Sequence, residues 1–238
     1  MSRRQLLAAL LGLIVAAGFI RLGMWQVSRL RSRQVQNMLL SARLYAPESP
    51  PFGLIAGTRQ WRRVIVTGTF DFDHQIVLAG RAHDGSPGVY ILTPLKPDAP
   101  APPILINRGW VYSADAQNVD LSKFDEDPHQ TIHAWVGEFV YNDTSPARTA
   151  STPYAWRRLD ASQLPSAFPY PVAPFYLVAL QDSGVTAPPS APARLSLPTP
   201  DEGPHRNYAI FWFSSALIAL VGTGVIIWRD RTAARGKT

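Results

Sequence analysis

Because the sequence contains no cysteine, histidine is the side chain in this chain best suited to metal binding. Without thiols the chain can form no disulfide scaffold, thiolate zinc site or iron–sulfur cluster. His129 and His133 are four residues apart, but the β-branched residues between them predict a strand. Positions i and i+4 of a strand lie about 13 Å apart, which is too far for one metal ion. We therefore predict no metal site at this pair.

Other catalytic patterns are missing as well. The sequence has no G-x-G-x-x-G, P-loop or H-E-x-x-H motif. Residues 85–88 (Gly-Ser-Pro-Gly) predict a turn, and they lack the strand–Ser–helix context of a nucleophile elbow. The acidic run 125–127 is typical of a solvated loop, and no carboxylate pair has a spacing that indicates acid–base catalysis. We predict no catalytic residue and no enzymatic activity.

His205 is the exception, because it lies three residues before Tyr208, where a long uncharged stretch begins. A neutral imidazole at a membrane interface can serve as an axial ligand of a haem iron. The alternative is a solvated interfacial histidine that binds nothing. On the residues alone, the solvated histidine is the interpretation we favour.

The element that positions His205 is a predicted membrane span. The stretch 208–228 holds 21 residues without a charge, with Tyr208 and Trp228 at its ends and Arg229 directly after it. Amphipathic aromatic residues at both ends are typical of a membrane-interface belt, and the length is sufficient to cross a hydrocarbon core of about 30 Å. We predict a second transmembrane helix over 206–228.

A first membrane span is predicted near the amino terminus. Sixteen uncharged residues separate Arg4 from Arg21. They span about 24 Å, and the apolar character continues past Arg21, whose side chain can snorkel. A cleaved signal peptide is the alternative, but the small residues near the end of the stretch are a poor cleavage site. We predict a transmembrane helix over 5–27, continued by a juxtamembrane helix over 28–46.

The juxtamembrane helix is basic, with no acidic residue before Glu48. Its arginines either face solvent and lipid headgroups or contact an anionic partner.

The formal net charge of +6, from 23 Lys and Arg against 17 Asp and Glu, lies mainly at the two ends. Residues 1–4 contribute +2 and residues 229–238 contribute +3, which leaves +1 for residues 21–207. The positive-inside rule therefore predicts two cytoplasmic tails and a periplasmic central region. The nearly neutral centre argues against nucleic-acid binding and leaves membrane lipids as the expected surroundings.

The first predicted span begins too early for a transit peptide, which favours a bacterial inner membrane over a mitochondrial one.

The region between the spans predicts a β-rich domain over 52–182. Short β-branched runs alternate with Gly, Pro and Asp turns, which indicates an antiparallel sheet or a small barrel. The runs are Arg63–Phe70, Gln75–Leu78, Val89–Thr93, Ile104–Asn107, Thr131–Val140 and Phe175–Leu180. Residues 183–205 are rich in proline and predict an extended linker. The fold class is thus a membrane protein with two transmembrane helices flanking a β-rich extracytoplasmic domain.

Five short motifs follow one another along the chain. They are Leu22-Gly23-Met24-Trp25-Gln26 with Arg29, Val66-Thr67-Gly68-Thr69-Phe70-Asp71, Arg81 with Gly88 to Leu95, Ile106-Asn107-Arg108-Gly109-Trp110-Val111, and Tyr208-Ala209 with Trp212-Phe213. Each motif is weak by itself, but their order and number resemble the surfeit locus protein 1 family of cytochrome c oxidase assembly factors. The resemblance covers most of the chain.

The resemblance implies a non-catalytic assembly factor for haem–copper oxidase that binds haem a transiently and helps to insert it into the large oxidase subunit. Other oxidase assembly factors are the further partners it implies. The family's candidate haem ligand is the His of an N-H-x-x-Y-A motif, which matches His205 here, although Pro204 replaces the Asn. With that ligand we expect Tyr208, Phe211 and Trp212 to form an apolar wall. Arg206 or Arg29 would pair with the haem propionates.

Two alternatives remain open. The first is a membrane scaffold or chaperone for oxidase subunits that holds no haem. The second is a periplasm-facing hydrolase, for which we find no nucleophile and base.

The remaining motif residues have structural interpretations. They are Gly23, Trp25, Gly68, Gly88, Arg108, Gly109 and Trp110. The glycines of the β-rich domain predict turns, bulges or close packing. Trp110 is expected to fill the core, and Arg108 either forms a structural ion pair or presents its charge to a partner. Tyr112 stands where the family commonly has proline, so the strand is expected to run on.

Overall fold

A computed structural model describes the chain in two compact units. The described residues are 2–141, 146–149, 152, 154–181 and 191–235. One unit combines residues up to 41 with those from 199 onward, and the other comprises residues 42–198. The predicted fold class is confirmed, since two long apolar helices flank a β-rich domain along the sequence.

The first unit is built on the helices α1 (Arg3–Leu44) and α2 (His205–Arg235). The most apolar stretch of each helix is long enough to cross a membrane, and only 11% of that stretch in α1 and 6% in α2 are buried. An apolar surface left this exposed is suited to lipid rather than water. At about 1.5 Å per residue, α1 is roughly 63 Å long, so about half of it must extend beyond the hydrocarbon core.

Small residues bring the two helices together in an antiparallel arrangement. Gly12 lies against Thr223, with less room between them than a Cβ would need. Nearer the other end of the pair, a Cβ on Gly23 would lie 2.8 Å from the Phe213 ring. Ala16 is buried as well. Such small residues let helix backbones approach closely in a membrane, where packing rather than hydrophobicity drives association.

The second unit is a small barrel with two added strands. Its strands are β1 (Arg63–Phe70), β2 (Ile76–His83), β3 (Ser86–Pro97), β4 (Ile104–Tyr112), β5 (His129–Gly137), β6 (Ala155–Trp156) and β7 (Tyr176–Ala179). The order β1-β5-β7-β4-β3 closes through a further pairing of β1 with β3, and β2 and β6 extend outward from β3. The β4–β7 and β2–β6 pairs are parallel, and the others are antiparallel.

Gly68 lies at the closing seam, opposite Pro97 of β3. Its Cα faces the Lys96 carbonyl so closely that a Cβ would not fit. The expectation of close packing at Gly68 is thus confirmed. The seam matters because it pairs β1 with β3 and so covers an edge of β1 at which strands of other molecules could pair.

The barrel interior is filled by alternate residues of its strands. β1 alternates in burial along its length, with Val64 and Val66 turned inward. Ile104, Ile132 and Leu177 pack against them, and all are buried. A second cluster outside the barrel surrounds the fully buried Trp156.

The hairpin between β2 and β3 differs from its predicted position. The turn lies at Asp84 and Gly85, both with positive φ (49° and 77°), and Ser86 already begins β3. The predicted turn over 85–88 was therefore wrong for its last three residues. The expectation that the β4 strand runs on to Tyr112 is confirmed. Of the predicted linker, residues 183–190 lie outside the described part of the chain.

Candidate functional site

His205 is the first residue of α2 and contacts the buried Gln26 of α1. Its Nδ1 lies 2.8 Å from the Gln26 Oε1. An amide oxygen can only accept, so Nδ1 carries the hydrogen and donates it. The lone pair of the neutral ring is then on Nε2, which has no hydrogen-bond partner within the described residues. A half-buried imidazole in this state can ligate a metal.

Gly203 leaves room beside that nitrogen. Its φ is +67°, a conformation that favours glycine, and its N–H donates to Asp201 Oδ1 at 2.8 Å. A Cβ at this position would lie 3.8 Å from the His205 Nε2. Because glycine has no side chain, Gly203 places no Cβ against this edge of the ring.

The motif residues around Gln26 have separate contacts. Trp25 is half-exposed and lies under the guanidinium of Arg29, which is 5.5 Å from the ring centroid. Because residues three apart on a helix are neighbours, Arg29 lies one turn beyond Gln26. Gly23 lies one turn before it, in the close contact with Phe213 described above.

The predicted aromatic wall is divided between two places. Trp212 stacks on Phe19 of α1 at a centroid distance of 5.6 Å, so it is part of the helix–helix contact. Tyr208 and Phe211 line a shallow pocket of about 390 Å³ with Pro204 and Asn207, and His205 is not among the residues that line it.

Arg206 is exposed, and as the next residue on α2 it projects about 100° away from His205. Of the predicted cofactor residues on α2, His205 is thus the one with a hydrogen bond to the first motif, through Gln26. Sequence reasoning missed its partner Gln26, although that residue closes the L-G-M-W-Q motif. A glutamine at the end of an apolar span was the available signal.

The I-N-R-G-W-V motif contains a β-bulge at Arg108. Ile91 of β3 pairs with Gly109 and Leu92 pairs with Asn107, so Arg108 is the extra residue. Such an insertion shifts the alternation of side chains by one. Arg108 is 0% exposed.

Arg108 has an acidic partner in the loop after β4. Its Nε and Nη2 donate to Glu126 Oε1 at 3.0 and 2.8 Å, and its Nη1 donates to Gln75 Oε1 at 2.9 Å. Burial lowers the pKa of the Arg108 guanidinium, and the charge of Glu126 opposes that shift. The Glu126 side chain is 4% exposed and also pairs with Arg194. The expectation of a solvated loop at 125–127 was therefore wrong for Glu126, and Arg108 forms a structural ion pair.

Gly109 and Trp110 hold the chain segment that leads from the barrel towards α2. Gly109 has a φ of +134° and lies too close to the Ala193 carbonyl to accept a Cβ. The Trp110 N–H and C=O each bond the backbone of Ala193 at 2.8 Å. The next residue, Arg194, donates to the Arg108 carbonyl. The motif is therefore a clasp for residues 193–194.

Trp110 is half-buried and does not belong to the core clusters of the described residues. Simple alternation from Ile104 would place Trp110 inside the barrel, but the bulge shifts it opposite Tyr90 on the other face. There it packs so closely on Gly88 that a Cβ on that glycine would not fit. The expectation that Trp110 fills the core was wrong, whereas close packing at Gly88 is confirmed.

Asp71, which ends the V-T-G-T-F-D motif, is a buried carboxylate. It accepts hydrogen bonds from Lys96 at 2.8 Å, Tyr170 at 2.7 Å and His74 at 3.0 Å. Burial by itself would raise the pKa of Asp71, but these hydrogen bonds outweigh it and hold the pKa well below its ordinary value. Burial and the nearby Asp71 raise the pKa of Tyr170. Asp71 is therefore a fixed charge rather than a proton acceptor.

One cavity of the barrel unit measures about 710 Å³, and its lining includes paired charges. Glu48 accepts hydrogen bonds from Arg63 and from His133 Nδ1, the latter at 2.7 Å. His129 instead faces Asp98 at 3.2 Å. Within the described residues, no group of three or more His, Asp or Glu side chains could hold a metal ion.

Fold and sites together define a membrane-anchored barrel protein with a histidine at the start of its second apolar helix. The sequence model of the SURF1 family matches residues 13–217, so the chain belongs to the SURF1 family. The family resemblance drawn from the motifs is thereby confirmed.

Three relatives illustrate this similarity. An uncharacterised SURF1-like protein of Mycobacterium tuberculosis is 25% identical over 229 residues, which cover 91% of this chain and 80% of the relative. A SURF1-like protein of Rickettsia felis is 25% identical over 211 residues, covering 88% and 92%. The cytochrome oxidase assembly protein SHY1 of Saccharomyces cerevisiae is 28% identical over 132 residues, covering 51% of this chain and 34% of the yeast protein.

Proposed function

We propose that this protein is a non-catalytic assembly factor for cytochrome c oxidase that binds haem a transiently through His205. Membership of the SURF1 family and the likeness to a yeast cytochrome oxidase assembly protein support the assembly role. One observation supports the haem role above the others. His205 donates from Nδ1 to Gln26, which leaves its Nε2 available on the edge that faces Gly203, a residue without a side chain.

The residues present fit such a group in part. His205 would supply the iron ligand, and the exposed Arg29 and Arg206 would pair with propionates. Tyr208 and Trp212 would contribute apolar surface at the start of α2. Haem a, if bound, would supply an iron that can take the His205 imidazole nitrogen as a ligand. The proposed partners are the large oxidase subunit, which would receive the haem, and other oxidase assembly factors.

We further propose that the protein lies in a bacterial inner membrane, with both chain termini in the cytoplasm and the barrel on the periplasmic side. The two candidate membrane helices support this orientation, together with the +2 charge of residues 1–4 and the +3 charge of residues 229–238 at the terminal ends of those helices.

The haem role is tested by expressing the full chain together with haem a synthesis enzymes and recording the visible spectrum of the purified protein. We expect a haem band in the unchanged protein and its loss in His205→Ala. His129→Ala is the matched control, because that histidine is exposed and pairs with Asp98. An equal band in His205→Ala would remove His205 from this role.

A scaffold that holds no haem is the second candidate function. It is favoured by the observation that the pocket lined by Tyr208 and Phe211 does not include His205. It predicts that the purified chain associates with oxidase subunits but shows no haem band.

A further inference from the structure

We propose that Gln26 is a positioning residue for His205. By accepting the Nδ1 hydrogen, it holds the imidazole in the tautomer whose lone pair is on Nε2 and fixes the direction of that lone pair. The inference rests on the proposed haem role, but its first test does not require haem.

The geometry supports a specific pair rather than a chance contact. The Nδ1 to Oε1 distance is 2.8 Å, between residues 179 positions apart in the chain. Gln26 is only 8% exposed, so its oxygen lies where water has little access. Buried polar groups are nearly always hydrogen-bonded, because an unpaired one is costly to desolvate. The Gln26 oxygen therefore has a strong reason to keep Nδ1 protonated.

The helix packing keeps Gln26 in place. Gly23, one turn earlier on α1, lies directly against Phe213, and Phe19 stacks on Trp212 one turn before that. These contacts set the separation of α1 and α2 near the start of α2. The contacts between the two helices thus hold the Gln26 amide of α1 in place beside α2. An amide held in this way is suited to orienting the His205 ring.

A histidine that ligates a metal usually donates its other ring N–H to a fixed acceptor. Such an acceptor sets the tautomer and the orientation of the ring and raises its basicity, and its loss typically costs 10–100-fold in metal affinity. Gln26 is such an acceptor for His205. Gly203 complements it on the opposite side of the ring, where a Cβ would approach Nε2.

The competing interpretation is that this hydrogen bond only joins two helices. The chain offers a matched control for that role. Gln34 Nε2 donates to Glu202 Oε1 at 2.9 Å, which is another hydrogen bond between the two chain segments that form this unit. Gln34→Leu removes this bond without removing the acceptor of His205, whereas Gln26→Leu removes the acceptor itself.

The first test uses the full ligand-free chain in detergent, with ¹⁵N-labelled histidine. We expect the His205 ring signals to show a protonated Nδ1 and a bare Nε2 in the unchanged protein and in Gln34→Leu. Gln26→Leu should lose this preference, and Gln26→Glu, which keeps an acceptor oxygen, should retain it. A neutral ring that carries its hydrogen on Nε2 in the unchanged protein would overturn the inference, whatever the result with haem.

The second test titrates haemin into the same proteins and follows the absorption of the complex. We expect Gln26→Leu to weaken binding by about 10–100-fold, Gln26→Glu to restore most of it, and Gln34→Leu to match the unchanged protein. Far-ultraviolet circular dichroism checks that every variant keeps its helices. If His205→Ala binds haemin normally, the proposed function fails while the tautomer result stands. If His205 is required but Gln26→Leu binds as tightly as the unchanged protein, the inference fails and the proposed function stands.

Discussion

Arg108 has no exposed surface, and Glu126 accepts two hydrogen bonds from its guanidinium at 2.8 and 3.0 Å. The same carboxylate binds Arg194, so one acidic residue pairs with two arginines on separate segments of the chain. Burying two charges is costly, and the arrangement is stable only while each charge keeps its partner.

Glu126→Gln should therefore destabilise the protein strongly. It leaves the buried Arg108 without its counter-charge, which costs about 3–5 kcal/mol for a buried pair. Chemical unfolding of the full chain in detergent measures the loss. Asp125→Asn is the control, because that neighbour is exposed. Equal unfolding midpoints for the two variants would contradict the buried triad.

Gly109→Ala should open the clasp on residues 193–194. The added Cβ meets both an unfavourable φ of +134° and the Ala193 carbonyl. Gly80→Ala is the control, because Gly80 has a φ of +69° but no atom of the described residues within 4 Å of the Cβ position. We expect Gly80→Ala to cost only the conformational strain, about 1–2 kcal/mol, and Gly109→Ala to cost more.

Hydrogen exchange at the Trp110 and Ala193 amides distinguishes the two glycine variants. Both amides donate across the clasp and should exchange faster in Gly109→Ala. Unchanged protection at both amides would show that the clasp does not depend on this glycine.

Asp71→Asn should destabilise the barrel unit in a pH-dependent way. Folding lowers the pKa of Asp71 below its value in the unfolded chain, which is about 3.9. The ionised carboxylate therefore stabilises the fold above about pH 3.9. This stabilisation is lost as the pH falls from there towards the pKa of the folded state. At pH 7 we expect a loss of about 1–3 kcal/mol for a buried, hydrogen-bonded charge.

The stability difference between the unchanged protein and Asp71→Asn should shrink below about pH 4. Unfolding curves recorded from pH 7 to pH 3 measure it. Asp73→Asn, at an exposed position nearby, controls for the loss of one negative charge. A difference that stays constant across this range would argue against Asp71 as a fixed charge.

Gly23→Leu should force the two helices apart near His205. Its side chain would enter the space of the Phe213 ring. Gly18→Leu, five residues earlier, is the control, because no atom in the described part of the chain lies within 4 Å of the Gly18 Cβ position. The absence of cysteine makes cross-linking a clean measurement. Gln34→Cys with Glu202→Cys should cross-link efficiently with a short bismaleimide. Adding Gly23→Leu should reduce the yield, and adding Gly18→Leu should not.

Much of the architecture was predictable because it depends on local patterns. The uncharged stretch at 208–228 is long enough for a membrane helix whatever surrounds it. The β-branched run at 63–70 has the alternation of a half-buried strand, and β1 has these bounds. The glycines at 68 and 88 could be assigned to close packing, although not to the atoms they contact.

The tertiary structure alone decided which distant residues meet. Trp110 was expected inside the barrel, because alternation is a local rule, but a single inserted residue at Arg108 reverses it. Glu126 looked solvated because nothing nearby in the sequence reveals its two arginines. Gln26 meets His205 because small residues set the spacing of two helices separated by a whole domain in the chain. Residue types and periods determine the elements, whereas their partners depend on bulges, strand register and helix spacing, which arise only when the chain packs.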